Sequence, residues 1–166
     1  MAAPDGVMYE EEFNQIKTVI SKLRIDANAK VVFLVDKNGQ QIAAQGEIEN
    51  LDTTSLASLT AGNVAATDGL ARLIGEKEFS ILFHEGERDN IHISIVAQRV
   101  ILVVIFDERS SLGLVRLRVK KASGELNDVF ARIMSKVERE RAAAGAAFES
   151  PFAEITDDDI DSLFSE

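Results

Sequence analysis

The segment from Asp52 to Gly75 carries apolar residues with helical periodicity on two faces. One stripe, at about 100° per residue, consists of large side chains: Leu56, Leu59, Leu70, Leu73 and Ile74. The opposite stripe consists of small side chains on successive turns, namely Ala57, Ala61 and Ala65, with Ser58 and Gly69 beside them. A surface helix normally presents charge to water on its second face, but this segment carries no charge between Asp52 and Asp68.

The small-residue stripe has two interpretations. Small side chains let another backbone approach closely, so this face is a candidate partner surface. Under that interpretation, the partner-binding residues of the helix are Ala57, Ala61, Ala65, Asp68, Gly69 and Arg72. Alternatively, the helix is enclosed within its own fold, or alanine occurs there only because it favours helix formation. The pattern of this helix leaves both interpretations open.

Periodicity elsewhere predicts two further helices and five strands. The first helix should run from Met8 to Asp26, and the last should start at Ser110 or Ser111 and keep its core stripe as far as Val137. The predicted strands are Val31 to Val35, Gln41 to Gln45, Phe79 to His84, Ile91 to Ile95 and Val100 to Phe106. Short turns join these strands, including an Asn-Gly hairpin signal, so the sheet should be mostly antiparallel. The fold class is α/β, of the α+β kind, in the order α-β-β-α-β-β-β-α.

A chain of 166 residues is long enough for one domain with a substantial core. That domain is predicted over residues 1–141, and the stretch from Ala142 to Ala147 is predicted to be a linker. The sequence contains no apolar run long enough to span a membrane, and Met1 to Tyr9 lacks the features of a signal peptide. We therefore expect a cytoplasmic protein that does not use a membrane as a partner. The absence of cysteine excludes disulfides and thiol chemistry.

The formal net charge of −10 is concentrated at the C-terminal end of the chain. Seven acidic residues and no lysine or arginine lie between Glu149 and Glu166, which leaves about −3 for the rest of the chain. This balance argues against nucleic acid as a partner, because binding nucleic acid needs concentrated positive charge.

The acidic tail, predicted over residues 142–166 together with the linker, has the pattern of a short binding helix. Thr156 is a candidate N-cap that three aspartates follow in the first turn. The apolar residues then fall at i, i+3 and i+4: Ile160, Leu163 and Phe164. Such a segment cannot bury its apolar stripe alone, so we expect it to be disordered when free and helical on a partner. The alternative is a tail that serves only solubility.

Residues with catalytic potential are few. His84 and His92 lie on different predicted strands and do not form a metal pair, and His92 occupies the polar side of its strand, which favours a surface position. The segment from Gly69 to Lys77 lacks the spacing of a phosphate loop. We therefore expect no catalytic residue, nucleotide site, metal site or cofactor in this chain.

Positively charged residues have functional and solvated interpretations. Four arginines could act as an arginine finger on another protein's nucleotide, and nothing distinguishes one of them: Arg72, Arg88, Arg99 and Arg109. A second basic set lies early in the last helix: Arg116, Arg118, Lys120 and Lys121. This set could bind an acidic partner, although a solvated helix face is the simpler interpretation.

Four segments together carry a family resemblance. They are VVFLVDKNG at 31–39, LDTTSLASLTAGNVAA at 51–66, VVIFD at 103–107 and SLGLVRL at 111–117. They resemble the Roadblock family, which is related to dynein light chains, and the resemblance covers about Met8 to Val137. It implies a Roadblock- or longin-like sandwich, in which a five-stranded antiparallel sheet has two helices on one face and the central helix on the other.

The resemblance also implies a function. It implies a homodimer in which the central helices pair and the sheets join at an edge strand, here Phe79 to His84. It implies an activator of a bacterial Ras-like small GTPase in cell polarity and motility, located at cell poles, with one GTPase per dimer. The GTPase would hold GTP and Mg²⁺, and the activator would reposition the GTPase's own catalytic residues. The alternative is a Roadblock-type scaffold that binds a GTPase or a cytoskeletal partner without activating hydrolysis.

Overall fold

Three helices and five strands occupy the part of the chain that the computed structural model describes, which is residues 6–148, with side chains from residue 9 to residue 145. In chain order they are α1 (Gly6–Asp26), β1 (Val31–Asp36), β2 (Gln41–Gly46), α2 (Thr53–Leu73), β3 (Ile81–Glu85), β4 (Asn90–Val96), β5 (Val100–Phe106) and α3 (Leu112–Phe148). The predicted order of elements is therefore confirmed, and the last strand has its predicted bounds.

The five strands form one antiparallel sheet in the order β2-β1-β5-β4-β3. β1 and β5 lie at its centre, paired from Val31 opposite Ile105 to Asp36 opposite Val100, and every residue of both strands is buried. The apolar runs of the sequence lie in these two strands, because an uninterrupted run suits a strand that is covered on both faces. β2 and β3 are the two edges of the sheet.

Helices cover both faces of the sheet. α1 and α3 pack on one face, where the core includes Ile20, Leu34 and Leu126. α2 packs on the other face, where the core includes Phe33 and Val103. Two helices on one side and the central helix on the other is the arrangement that the family resemblance implies, so the expected α+β sandwich is confirmed.

The hairpin between β1 and β2 closes around the side chain of Asp36. Its Oδ1 accepts hydrogen bonds from the backbone N–H groups of Asn38 and Gln40, both at 2.9 Å. The predicted Asn-Gly turn is present, although only Gly39 has a positive φ, at +90°. A Cβ at Gly39 would lie 3.2 Å from the Cα of Ser58, so this turn packs directly against the first turns of α2.

Side chains with oxygen acceptors start the second and third helices. The carboxylate of Asp52 accepts hydrogen bonds from Ser55 N at 3.0 Å and Ser55 Oγ at 2.7 Å, and these bonds hold the pKa of Asp52 below its ordinary value. Ser111 Oγ accepts a hydrogen bond from Leu114 N at 3.2 Å at the start of α3. Both starts were predictable, because the first N–H groups of a helix need acceptors outside the helix.

The end of α3 differs from the prediction. The stretch from Ala142 to Ala147 continues the helix as far as Phe148, so it is helical rather than an irregular linker. Alanine has the highest helix propensity, and extending an existing helix adds a hydrogen bond for each residue without a new nucleus. The domain boundary at residue 141 stays a prediction, and the acidic tail lies outside the described residues.

His92 is buried, contrary to its predicted surface position. It lies on β4 with 1% of its surface exposed, between Phe83 on β3 and Val104 on β5, on the face that α3 covers. The polar-apolar alternation along β4 predicted a solvated face, but a sheet with helices on both faces leaves no such face here. Neither ring nitrogen has a hydrogen-bond partner among the described residues.

The burial of His92 predicts a pH-dependent stability. Burial, and then the charge of Arg116, lower the pKa of His92 below 6.5, because both disfavour the protonated ring. The unfolded chain therefore binds the proton first as the pH falls. We expect this contribution to the free energy of unfolding to be constant above about pH 7 and to fall below about pH 6.5, by at most about 1.4 kcal/mol per pH unit.

Urea denaturation at a series of pH values measures this effect. His92→Gln removes the titrating group and should flatten the pH dependence, whereas His84→Gln on the exposed part of β3 is the matched control and should keep it. The same pH dependence in the unchanged chain and in His92→Gln would contradict the assignment.

Candidate partner-binding surface

α2 lies on the sheet through its smallest side chains. Ala57 is 1% exposed and Ala61 9%, and together with Val64 they share a hydrophobic cluster with Phe33 and Val103 of the central strands. Small side chains bring the helix axis close to the sheet, and this closeness leaves little room for a larger side chain at Ala57 or Ala61. Side-chain size therefore decides which face of α2 the sheet covers.

This packing corrects part of the predicted partner surface. The sequence predicts partner contacts for Ala57 and Ala61, but the sheet of the same chain already covers both, so the enclosed alternative holds for these two. Each step of four residues turns about 40° further around the helix, which carries Ala65 away from the sheet. The remaining predicted contacts on the helix are exposed or half-buried and stay predictions: Ala65, Asp68, Gly69 and Arg72.

Three leucines of α2 point away from the sheet, whereas Leu56 packs against the cluster beneath the helix. Leu59 is 72% exposed, Leu70 60% and Leu73 84%, and Ile74, which follows the helix, is 69% exposed. A contiguous apolar strip on a globular protein indicates an interaction site. We define the α2 outer face by its members: Leu59, Gly62, Ala65, Ala66, Gly69, Leu70 and Leu73.

Gly62 is a member of this face that is not among the predicted contacts. A glycine inside a helix costs about 1 kcal/mol relative to alanine, yet a Cβ at Gly62 or at Gly69 would meet nothing within 4 Å in this chain. The packing of the chain itself therefore explains neither glycine. The signal was present in the sequence, because two glycines seven residues apart fall on one side of a helix.

β3 lies at an open edge of the sheet and contacts α2 through one pair of side chains. Asn63 Nδ2 on α2 and His84 Nε2 on β3 lie 2.8 Å apart. β3 is the last strand of the sheet and pairs with β4 alone among the described strands, and its Ile81 is 54% exposed. An open apolar edge is a template for another strand. The predicted edge strand is thus an edge, with the bounds Ile81–Glu85 rather than Phe79 to His84.

The described residues do not assemble a metal site. In residues 6–148, no three His, Asp or Glu side chains are placed to hold a metal ion.

Arg109 donates hydrogen bonds to Asp107 at 3.0 Å and to Glu47 at 2.9 Å, and these bonds raise its pKa. No helix in the same range is long and apolar enough to cross a membrane. Three predicted contacts in the tail lie outside the described residues: Ile160, Leu163 and Phe164.

A family model for the Roadblock/LC7 domain matches residues 15–106, a range that contains α2, β3 and the whole sheet. The chain therefore belongs to the Roadblock/LC7 family. Among curated proteins there is no significant match.

Among solved structures, the chain is similar to MglB proteins. Myxococcus xanthus MglB is 65% identical over 75% of this chain and 93% of that chain, with a TM-score of 0.72. The gliding protein MglB of Thermus thermophilus is 31% identical over 71% and 90%, with a TM-score of 0.68. An MglB with a tetrameric arrangement is 30% identical over 71% and 89%, with a TM-score of 0.67. These similarities extend the family resemblance to a particular group within it.

The orientation of α2 can be tested with two matched substitutions. Ala57→Leu should lower the free energy of unfolding by about 1–3 kcal/mol, because it overpacks the contact between helix and sheet. Ala65→Leu adds the same atoms on the α2 outer face and should cost less than about 0.5 kcal/mol. Urea denaturation of both variants measures the difference, and equal losses would contradict the orientation.

Proposed function

We propose that the chain is a GTPase-activating regulator of a bacterial Ras-like small GTPase of the MglA type, acting as a homodimer in cell polarity and motility. The observation that carries the proposal is the uncovered apolar α2 outer face in a chain that is 65% identical to Myxococcus xanthus MglB. In this proposal GTP and Mg²⁺ belong to the GTPase, and the regulator contributes no cofactor. A cytoplasmic protein at the cell poles would suit that role.

Two features support a homodimer. The open edge of β3 can pair with the β3 edge of a second copy, which would remove the exposed backbone groups of both. A two-fold axis at that edge places the second α2 on the same side of the joined sheet, so the apolar strips of both helices face the same region. The surface that we propose for one GTPase per dimer is formed by these two helices.

The proposed contacts with the GTPase lie on the exposed part of α2 and in the tail. On the helix they are Ala65, Asp68, Gly69 and Arg72. In the tail they are Ile160, Leu163 and Phe164. The glycine and alanine let the GTPase backbone approach closely, and the charges of Asp68 and Arg72 at the border of the apolar strip can fix its orientation.

Activation is indirect in this proposal. A finger needs a guanidinium that is free to reach the nucleotide, whereas Arg109 is engaged by Asp107 and Glu47. Arg72 is the one arginine within α2, and it is the only one of the four finger candidates among the proposed contacts of the helix. The regulator would instead bind most tightly to the GTPase conformation in which the GTPase's own catalytic residues are aligned, and this preference would raise the population of that conformation.

A non-catalytic scaffold is the second candidate function, since the same apolar face would serve it. A scaffold of this kind would bind the GTPase or a cytoskeletal partner and leave the rate of hydrolysis unchanged. Single-turnover GTP hydrolysis by the cognate GTPase, with and without the full chain at saturation, separates the two. We expect the full chain to accelerate hydrolysis by about tenfold or more, and an unchanged rate with intact binding would favour the scaffold.

Substitutions on α2 test the contact surface. Ala65→Arg and Gly69→Arg should each abolish GTPase binding, because a long charged side chain holds the partner away from the helix. Ala131→Arg places the same side chain on an exposed position of α3 and is the matched control, which should bind and activate normally. Normal binding by the Ala65→Arg and Gly69→Arg variants would show that the contact surface lies elsewhere.

Indirect activation predicts that no single arginine is essential. The four variants are Arg72→Ala, Arg88→Ala, Arg99→Ala and Arg109→Ala. None should reduce single-turnover hydrolysis at saturation by the ~10³-fold or more that the loss of a finger causes. A loss of that size in one variant, with folding and binding intact, would identify a finger and refute the indirect mechanism.

A further inference from the structure

The first half of α3 is basic in a chain that is otherwise acidic. Residues 112–124 contain four arginines and lysines and no acidic residue, whereas the whole chain has a net charge of −10. Arg118 is half-buried, and three of the other cations in the helix are exposed: Arg116, Lys120 and Lys121. Of the four residues in the predicted basic set, Arg118 is therefore partly packed, and the other three form an exposed group.

The exposed group surrounds an apolar side chain. Leu117 is 61% exposed on the side of α3 that faces away from the sheet. Gly113 and Gly124 lie on the same side, and a Cβ at either would meet nothing within 4 Å. We define the α3 basic face by its members, which recur at helical spacing: Gly113, Arg116, Leu117, Lys120, Lys121 and Gly124.

The cations of the α3 basic face lack ion pairs within the described part of the chain. Other exposed or half-buried cations have acidic partners there, such as Lys30 with Asp89 at 3.1 Å and Arg109 with Glu47 at 2.9 Å. No ion pair of this kind involves Arg116, Lys120 or Lys121 in residues 9–145. An open basic surface with an apolar centre fits an acidic segment that carries an apolar stripe.

The acidic tail of this chain has that chemistry. Residues 149–166 contain seven acidic side chains and no basic one. Ile160, Leu163 and Phe164 share one side of the predicted helix, and the three aspartates just before them can meet the lysines while the apolar side chains cover Leu117. We propose that the acidic tail docks on the α3 basic face.

The reach of the chain indicates that the docked tail comes from a second copy. α3 rises about 1.5 Å per residue, so Leu117 lies about 46 Å from Phe148 along the helix. An extended chain from Phe148 to Thr156 spans about 29 Å at most, and a helix from Thr156 to Leu163 adds about 10 Å. On its own helix, a helical tail therefore reaches Gly124, about 36 Å from Phe148, but stops about 7 Å short of Leu117. The contact that covers Leu117 joins two copies.

This docking has a consequence for the proposed function. The tail residues that we propose to contact the GTPase are the same ones that cover the α3 basic face, so the tail cannot serve both at once. Docking would therefore compete with GTPase binding. Only this consequence rests on the proposed function, because the docking itself requires a second copy and no GTPase.

Photo-crosslinking of the full chain without any GTPase tests the docking. Because the chain contains no cysteine, Ser165→Cys provides a single attachment point for a benzophenone next to Phe164. Isotopically labelled and unlabelled chains are mixed before irradiation, and mass spectrometry locates the cross-links. We expect cross-links between labelled and unlabelled chains, directed to residues 113–124, with a yield that falls as salt is added.

Charge reversal identifies the surface. The double variant Lys120→Glu and Lys121→Glu should lose about tenfold in cross-link yield. Lys22→Glu with Lys37→Glu is the matched control, because it reverses two exposed lysines away from α3 and changes the net charge equally. Adding Asp157→Lys and Asp158→Lys to the α3 variant should restore the yield.

Several outcomes would overturn the docking. One is a yield that stays the same in the α3 variant and in its control. Another is the absence of cross-links to residues 113–124, including the case in which they map to the α2 outer face. Cross-links to residues 113–124 only within single chains would overturn the contribution of a second copy. A failure of the GTP hydrolysis experiment would leave these outcomes unchanged, so the two proposals fail separately.

Discussion

The close approach of α2 to the sheet is the constraint on which the other features of this fold depend. Ala57 and Ala61 fill the contact, and the turn at Gly39 packs against the helix backbone so closely that a Cβ there would lie 3.2 Å from the Cα of Ser58. A helix held this close has little room for larger side chains at these two positions. Leu59, Leu70 and Leu73 are therefore directed outward, whereas Leu56 packs against the cluster beneath the helix, and the surface proposed for partners results from how the core is packed.

Much of the fold could be predicted because local signals agreed with each other. The apolar runs at 31–35 and 100–106 are long enough and continuous enough to indicate central strands, and they form the middle of the sheet. Asp52 accepts hydrogen bonds at the start of α2, as its position before an apolar helix predicts. Turn chemistry and periodicity act over a few residues, so the sequence contains them directly.

The parts that the sequence did not predict depend on contacts between distant residues. Periodicity shows two apolar faces on α2 but does not say which of them the sheet covers, so the prediction of partner contacts for Ala57 and Ala61 is wrong. The alternation along β4 predicts a solvated His92, but α3, which covers it, begins twenty residues later in the chain. Packing between elements therefore decides which residues form the candidate surface. The sequence pattern of a single segment does not contain that information.

The helical continuation of α3 through Ala142–Ala147 gives the end of the helix at Phe148 a defined position and direction. Each residue of a helix adds about 1.5 Å of length and about 100° of rotation, so the residue count of this stretch sets an angle as well as a distance. Removing one alanine would swing the departure point by more than a quarter turn around the axis, a change that a flexible linker would absorb. In this helical stretch, the number of residues therefore sets a rotation about the axis as well as a length.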